Sequence, residues 1–191
     1  MTQGFYHHLR QAWMKPDSEV LRNRMIEWRR SDAVQVVEKP LRLDRARSLG
    51  YKAKKGFVVV RVRVMRGGRK RTRVAVKGRK TRKQTNKKVL KMSYQWVAEL
   101  RASRHHKNLE VLNSYWIGQD GQHYFFEVIM VDKNRSEIKN DKTMRWIYLG
   151  TNRGRAERGL TSAAKKSRGL STKSHNMKVR PSLRAWDRQG K

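Results

Sequence analysis

There is not one cysteine in these 191 residues, which removes disulfide cross-links, thiol catalysis and every thiolate zinc site, and fits a reducing compartment. Acid is nearly as scarce. The 15 Asp and Glu stand against 48 Lys and Arg, for a formal charge of +33 and an isoelectric point near 11.4. No stretch reaches the ~20 apolar residues of a spanning helix, and no basic amphipathic helix dominates, so no membrane is expected as partner. The opening MTQGFYHHLRQAW also lacks the apolar core of a signal peptide. Without a secretory signal, the Asn134-Arg135-Ser136 sequon reads as a chance match.

The scarcity of acid is local. Residues 45 to 98 hold 20 Lys and Arg and no Asp or Glu, whereas segments 1 to 44 and 99 to 149 carry only +2 and +1, and 150 to 191 carries +10. Charge spread for solubility would be even; a segregated excess is the footprint of nucleic-acid binding. At its centre the tract Arg69 to Lys88 has 11 cations in 20 residues and, apart from Val74, Ala75 and Val76, almost nothing to bury. It is expected to gain order from an anionic partner, the alternative being a basic two-stranded ribbon turning at Gly78.

Taken in order, Phe5, Leu9, Ala12 and Trp13 share one helical face that Pro16 ends, and a second helix from about Ser18 places Leu21, Met25 and Trp28 at i, i+4 and i+7. Core packing is favoured over base stacking for Trp13 and Trp28. After a short apolar run, Val34 to Val37, the stretch DRARSL reads as a brief helix capped by Asp44 and ended by Gly50. FVVVRVRVM (57–65) is the clearest strand: Val58, Val60, Val62 and Val64 line a core face, and Arg61 and Arg63 share the other. Those two arginines suit either a solvated face or, beside so basic a tract, phosphate contact.

Past the tract, a helix from about Asn86 to His105 aligns Val89, Met92, Trp96, Val97 and Leu100. LEVLNSYWI (109–117) and HYFFEVIMV (123–131), joined by Gly118-Gln119-Asp120-Gly121, read as a hairpin whose second strand is apolar on both faces and therefore central. Strand 57–65 is expected to pair with this hairpin, with Trp96 packed on the sheet and Phe126 buried. Residues 137 to 149 suggest a short helix and an apolar anchor at Met144, Trp146, Ile147, Tyr148 and Leu149. From Gly150 the chain is rich in Gly, Ser, Lys and Arg, with one short helix, TSAAKKS, capped by Thr161. The fold expected is α+β: a small mixed sheet (strand 57–65 plus the hairpin 109–131) covered by helices, with long basic extended arms. Residues 1–149 form one body interrupted by a basic loop at about 67–88, and 150–191 form a basic C-terminal arm ordered on RNA.

No enzymatic constellation stands up. His7-His8 and His105-His106 are adjacent pairs whose side chains diverge by about 100° on a helix, and neither phosphate-loop glycine pattern occurs. Glu110 and Glu127, able to meet across the hairpin, are more simply strand-face residues near Lys or Arg. No cofactor, metal or small-molecule substrate is expected. What is left is a backbone-reading polyelectrolyte, and extended arms on a small body suit the crevices of folded RNA better than a regular DNA duplex. No helix-turn-helix or zinc finger is present to read a duplex. The candidate RNA-binding residues are Arg45, Arg47, Lys52, Lys54, Lys55, Arg61, Arg63, Arg66, Arg69, Lys70, Arg71, Arg73, Lys77, Arg79, Lys80, Arg82, Lys83, Lys87, Lys88, Arg158, Lys165, Lys166 and Arg168. A general nucleic-acid-compacting, chromatin-type protein would share the charge but leaves the aromatic body unexplained.

Three segments, SLGYKAKKGFVVVRVRVMRGGRKR (48–71), LEVLNSYWIGQDGQHYFFEVIMVD (109–132) and RGLTSAAKKSRGL (158–170), resemble signature stretches of large-subunit ribosomal protein fifteen of the eukaryotic and archaeal type, and the opening YHHLRQAW is similar as well. Ala164 stands where that family usually has Gly. The resemblance implies a non-catalytic structural constituent of the large ribosomal subunit, cytoplasmic and not a homo-oligomer. Its implied partners are large-subunit ribosomal RNA and neighbouring ribosomal proteins.

Overall fold

The computed structural model describes residues 3–68 and 89–170. The tract Arg69 to Lys88 and the chain from 171 onward, both expected to be ordered only on RNA, lie outside the described residues.

One four-stranded sheet carries the body. Its order is β1 (Val34–Val37), β2 (Phe57–Met65), β4 (His123–Val131), β3 (Glu110–Gln119), and all three pairings are antiparallel rather than mixed. The expected pairing of strand 57–65 with the hairpin is present, as β2 against β4, with Val62 opposite Phe126 and Val60 opposite Val128. The hairpin is not the only strand partner of β2. The run Val34 to Val37, too short to show a period, pairs with the other edge of β2.

Alternation along β2 and β4 sends side chains to two cores. On one face Val60, Val62, Val64, Phe126, Val128 and Met130 meet Ala98 and Ala102 of α4 (Tyr94–His105), whose small side chains let the helix backbone approach the sheet. On the other, Phe125, Ile129 and Val131 are covered by Trp28 of α2 (Ser18–Arg30), Ala46 of α3 (Leu43–Ser48) and Ile138 of α5 (Ser136–Lys139), with Met144 and Ile147 behind them. Trp28 and Phe125 stand 5.3 Å apart between ring centroids. Opposite that tryptophan, β3 has Gly118, where an added Cβ would come within 3.2 Å of the Trp28 ring.

Two of the helix boundaries move. The helix expected from about Asn86 begins at Tyr94: the Ser93 hydroxyl accepts from Trp96 N at 3.3 Å, and Lys91, with φ of 56°, is left-handed. Val89 and Met92, assigned to its apolar stripe, are exposed, and residues 86–88 fall outside the described residues. In α3, Asp44 is not the cap. It sits inside the first turn, buried, 3.9 Å from the Arg42 guanidinium, while Arg42 occupies the cap position with no side-chain bond. α1 (Phe5–Met14) forms as expected but contributes no buried residue, and Phe5 is 65% exposed.

The larger correction concerns Gly150 onward. Residues 150 to 170, expected as the start of an arm, are packed on the body. Ala156, Ala163 and Ala164 are buried, and the Trp96 indole donates to Ala156 O at 2.8 Å. α6 (Ser162–Ser167) is capped by Thr161, whose hydroxyl accepts from Ala164 N at 3.3 Å. Trp96 thus anchors this segment rather than simply lying on the sheet. Gly159, at φ of 68°, has the Arg168 side chain 3.0 Å and the Trp96 ring 3.4 Å from where a Cβ would be, a position that favours glycine.

Phe126 is 5% exposed between α4 and the β2 valines. Phe126→Ala is expected to lower unfolding free energy by roughly 3 to 5 kcal/mol in urea titration, from lost transfer energy plus the cavity left behind. An unchanged midpoint would place this ring outside the core.

Candidate nucleic-acid interface

The acidic side chains show what becomes of the few negative charges. Glu127 sits mid-strand on β4, 2% exposed, where it accepts from the Tyr115 hydroxyl and from Leu41 N at 3.1 and 3.2 Å. It does not meet Glu110, since the register sets Tyr115 opposite Glu127 and Val131 opposite Glu110. Glu110 instead accepts from Gly154 N at 3.0 and 3.1 Å, with Lys133 Nζ 3.9 Å away. Glu99, on α4 and fully buried, accepts from Ser114 Oγ and Thr161 Oγ1, both at 2.5 Å, and so ties helix, sheet and C-terminal segment together. Burial holds the Glu99 and Glu127 carboxyls above their ordinary range, against the opposing pull of these hydrogen bonds. The same burial, with Glu127 beside it, pushes the Tyr115 phenol up. Each of these three carboxylates braces the fold, and each is turned inward.

The predicted cations divide into three groups. Arg61 and Arg63 are engaged by the protein: Arg61 donates to Gln35 Oε1 at 2.5 Å and Ser31 Oγ at 3.2 Å and lies 5.5 Å over the Trp28 ring, and Arg63 donates to the carbonyls of Trp28 and Arg29. Burial lowers the Arg61 pKa, with Glu27 and Glu127 pulling it back. Neither arginine stands on a simply solvated face, because α2 covers the sheet there. Arg158 and Arg168 also bond to carbonyls, Arg158 to Arg153 O at 2.9 Å and Thr151 O, Arg168 to Gly159 O at 3.0 Å.

A second group has its charged head held by the protein at the partly open surface. Lys52 and Lys54 both reach Asp141 Oδ2, at 2.7 and 2.5 Å, and their hydrogen bonds hold that carboxyl far below its ordinary range. Arg66 is exposed, 4.9 Å over the Tyr124 ring, and donates to Asp120 O at 2.6 Å. Arg47 lies 5.7 Å over the ring of Tyr6. The third group, Arg45, Lys55, Lys165 and Lys166, is exposed, and the side chains make no hydrogen bond or ion pair among the described residues. Arg69, Lys70, Arg71, Arg73, Lys77, Arg79, Lys80, Arg82, Lys83, Lys87 and Lys88 lie outside the described residues.

Sequence reasoning passed over Arg155. Its guanidinium lies 4.5 Å over the Trp146 ring and its Nε donates to Val111 O at 3.2 Å; burial lowers its pKa, with Glu110 and Glu99 opposing. The signal was weak, one arginine among several in RGRAERGL, and only the β3 bulge that brings Val111 and Leu112 beside it distinguishes it. Among the described residues no three His, Asp or Glu side chains converge as metal ligands, and no helix is long and apolar enough to cross a membrane.

Because the fold favours the protonated form of Glu99, its contribution is fully present below the unfolded carboxyl pKa, ~4.3, and is lost as pH rises through the higher folded value. Gln at this position keeps a donor and an acceptor for Ser114 and Thr161 without the charge. Glu99→Gln is therefore expected to gain stability relative to the parent as pH is raised from about 4, levelling off above the folded pKa. Urea denaturation between pH 4 and 8 measures this, and a difference independent of pH would contradict it.

A family model described as Ribosomal L15 matches residues 4–186. The large ribosomal subunit protein eL15 of Methanocella arvoryzae is 47% identical over 197 residues, covering all of both chains. That of Methanospirillum hungatei is 49% identical over 191 residues, covering 97% of each. A match of this length and identity, running through the hairpin, both valine-rich strands and the folded 150–170 segment, places the chain in the eL15 family of large ribosomal subunit proteins.

Proposed function

We propose that this protein is a structural, non-catalytic constituent of the large ribosomal subunit that binds and stabilises large-subunit ribosomal RNA through phosphate-directed Lys and Arg contacts, beside neighbouring ribosomal proteins. Family membership supports the place in the subunit. The observation that carries the RNA contact is the separation of charge: 20 cations and no carboxylate in residues 45 to 98, while Glu99, Glu110 and Glu127 are turned into the body. Negative charge is thereby withdrawn from the surface that meets the phosphates.

Within that reading the exposed Arg45, Arg47, Lys55, Arg66, Lys165 and Lys166 contact phosphate from the body, and the cations of Arg69 to Lys88 extend the contact along the RNA. Arg61, Arg63, Arg158 and Arg168 chiefly hold the surface in shape. Lys and Arg interspersed with Gly, Thr and Ser suit a path along the sugar-phosphate chain, because small residues let the main chain approach and guanidinium forks match phosphate oxygens.

Affinity of the full chain for large-subunit RNA is expected to fall steeply with salt. With about ten phosphates neutralised, log K declines against log salt with a slope of magnitude roughly 7 to 9, depending on RNA form. Filter binding over a salt series measures the slope; a nearly flat response would remove the electrostatic reading. Equal preference for duplex DNA would favour a general compactor.

A further inference from the structure

A groove of about 590 Å³ opens where four parts of the chain meet, lined by Lys52 after α3, Asn113 of β3, Trp146 of the 3-10 turn Arg145–Tyr148, and Arg155, Ser162 and Lys165 of the C-terminal segment. Three of these are cations, no carboxylate lines the groove, and its size is that of a pocket for one small organic ligand. We infer that this groove takes a single unpaired nucleotide of RNA, its phosphate at Lys165 and Lys52 and its base against the Trp146–Arg155 stack and the Asn113 amide. The inference rests on the RNA reading above and narrows it to one place and one form of RNA.

Three features separate this groove from a merely basic surface. The Arg155 guanidinium lies 4.5 Å over the Trp146 ring and is pinned by its bond to Val111 O, so an aromatic ring and a fixed guanidinium, the groups on which unstacked bases rest, form part of the wall. Asn113 is aimed by a β-bulge. Val111 pairs with Met130 on the α4 side of the sheet, but the register then slips and Asn113 pairs with Ile129 on the opposite side, putting Leu112 and Asn113 on one face. The Asn113 Oδ1 accepts from Ser114 N at 3.0 Å, which orients the amide and leaves its NH₂ with no partner among the described residues. The Lys165 ammonium has no hydrogen bond or ion pair among the described residues, and Lys52 is held at the rim by Asp141 and by Thr143 Oγ1 at 2.6 Å. A base-sized slot with an aromatic wall, an aimed amide and a free ammonium recognises a nucleotide rather than a phosphate alone. A paired base, already stacked and hydrogen-bonded, cannot enter.

The test uses the full chain, a labelled ten-nucleotide single-stranded RNA and a blunt RNA duplex of equal phosphate count, with fluorescence anisotropy at one fixed salt concentration. Trp146→Leu is expected to weaken single-strand binding roughly 5- to 100-fold, the range for loss of one stacked base, and Asn113→Ala roughly 2- to 10-fold, the range for one hydrogen bond, with duplex binding changed less than about twofold by either. Circular dichroism melts of both variants guard against loss of fold, and Asn113→Ala, a half-buried polar truncation, is the safer of the two. As a second measurement, a 4-thiouridine oligonucleotide irradiated on the unaltered protein should cross-link to the tryptic peptide that runs from Trp146 to Arg153. Equal losses for single strand and duplex, or no loss for either while the parent binds with a steep salt slope, would overturn the nucleotide site and leave the phosphate-directed function standing. Absence of RNA binding by the unaltered chain would overturn both.

Discussion

The whole body hangs on the β2–β4 ladder being buried on both faces. A strand covered on two sides has no place for an unpaired charge, yet β4 holds Glu127 at its centre and β2 holds Arg61 directly opposite. The register that pairs Val62 with Phe126 also sets these two together, and the Tyr115 hydroxyl and the Leu41 amide complete the carboxylate's partners. One of these partners belongs to the loop before α3 and another to β3, so satisfying this one buried charge joins three parts of the chain. Removing a single partner would leave an orphan in an apolar setting, the costliest kind of polar defect.

Glu99 repeats the same logic on the other face. Its partners come from β3 and from the segment that begins α6, while Glu110 grips Gly154 N two turns of chain earlier. The segment 150–170 has little apolar area to bury: Ala156, Ala163 and Ala164 are small, and Gly159 has no side chain at all. Hydrogen bonds to buried carboxylates and the Trp96 indole do the work that hydrophobic area does elsewhere. A protein of charge +33 thus turns several of its few acids inward as structural acceptors, which keeps those carboxylates from offsetting the cations that face outward.

Burial also sorts the cations. An arginine that donates to backbone carbonyls, as Arg63 does, or to Gln35 and Ser31 while lying over the Trp28 ring, as Arg61 does, is a building element; an ammonium with no partner among the described residues, such as that of Lys165, is available to a ligand. Arg155 stands between these conditions. One nitrogen is tied to β3 while the guanidinium lies over the Trp146 ring, the arrangement that turns a charge into part of a wall.

Strands β2 and β4 were legible residue for residue in FVVVRVRVM and HYFFEVIMV, the first from its alternation of valine with arginine, the second from a short run of aromatic and β-branched residues apolar on both faces and bounded by a turn. The Thr161 cap and the Ser18 helix start were legible for a similar reason, being local chemistry between near neighbours. The charge segregation, and with it the expectation of a polyanionic partner, needed only counting. Tertiary structure alone decided the rest. Whether Val34–Val37 is a strand depends on β2 offering an edge; where α4 begins depends on Lys91 turning left-handed and on Ser93, whose amide bonds to Ser167 far along the chain. Whether 150–170 folds depends on two glutamates more than 40 residues away, and which face Asn113 takes depends on a one-residue slip against β4. Sequence periodicity reports contacts that repeat along one element. It is silent on single long-range hydrogen bonds, and in a chain this poor in apolar area those bonds decide which cations hold the fold and which face outward.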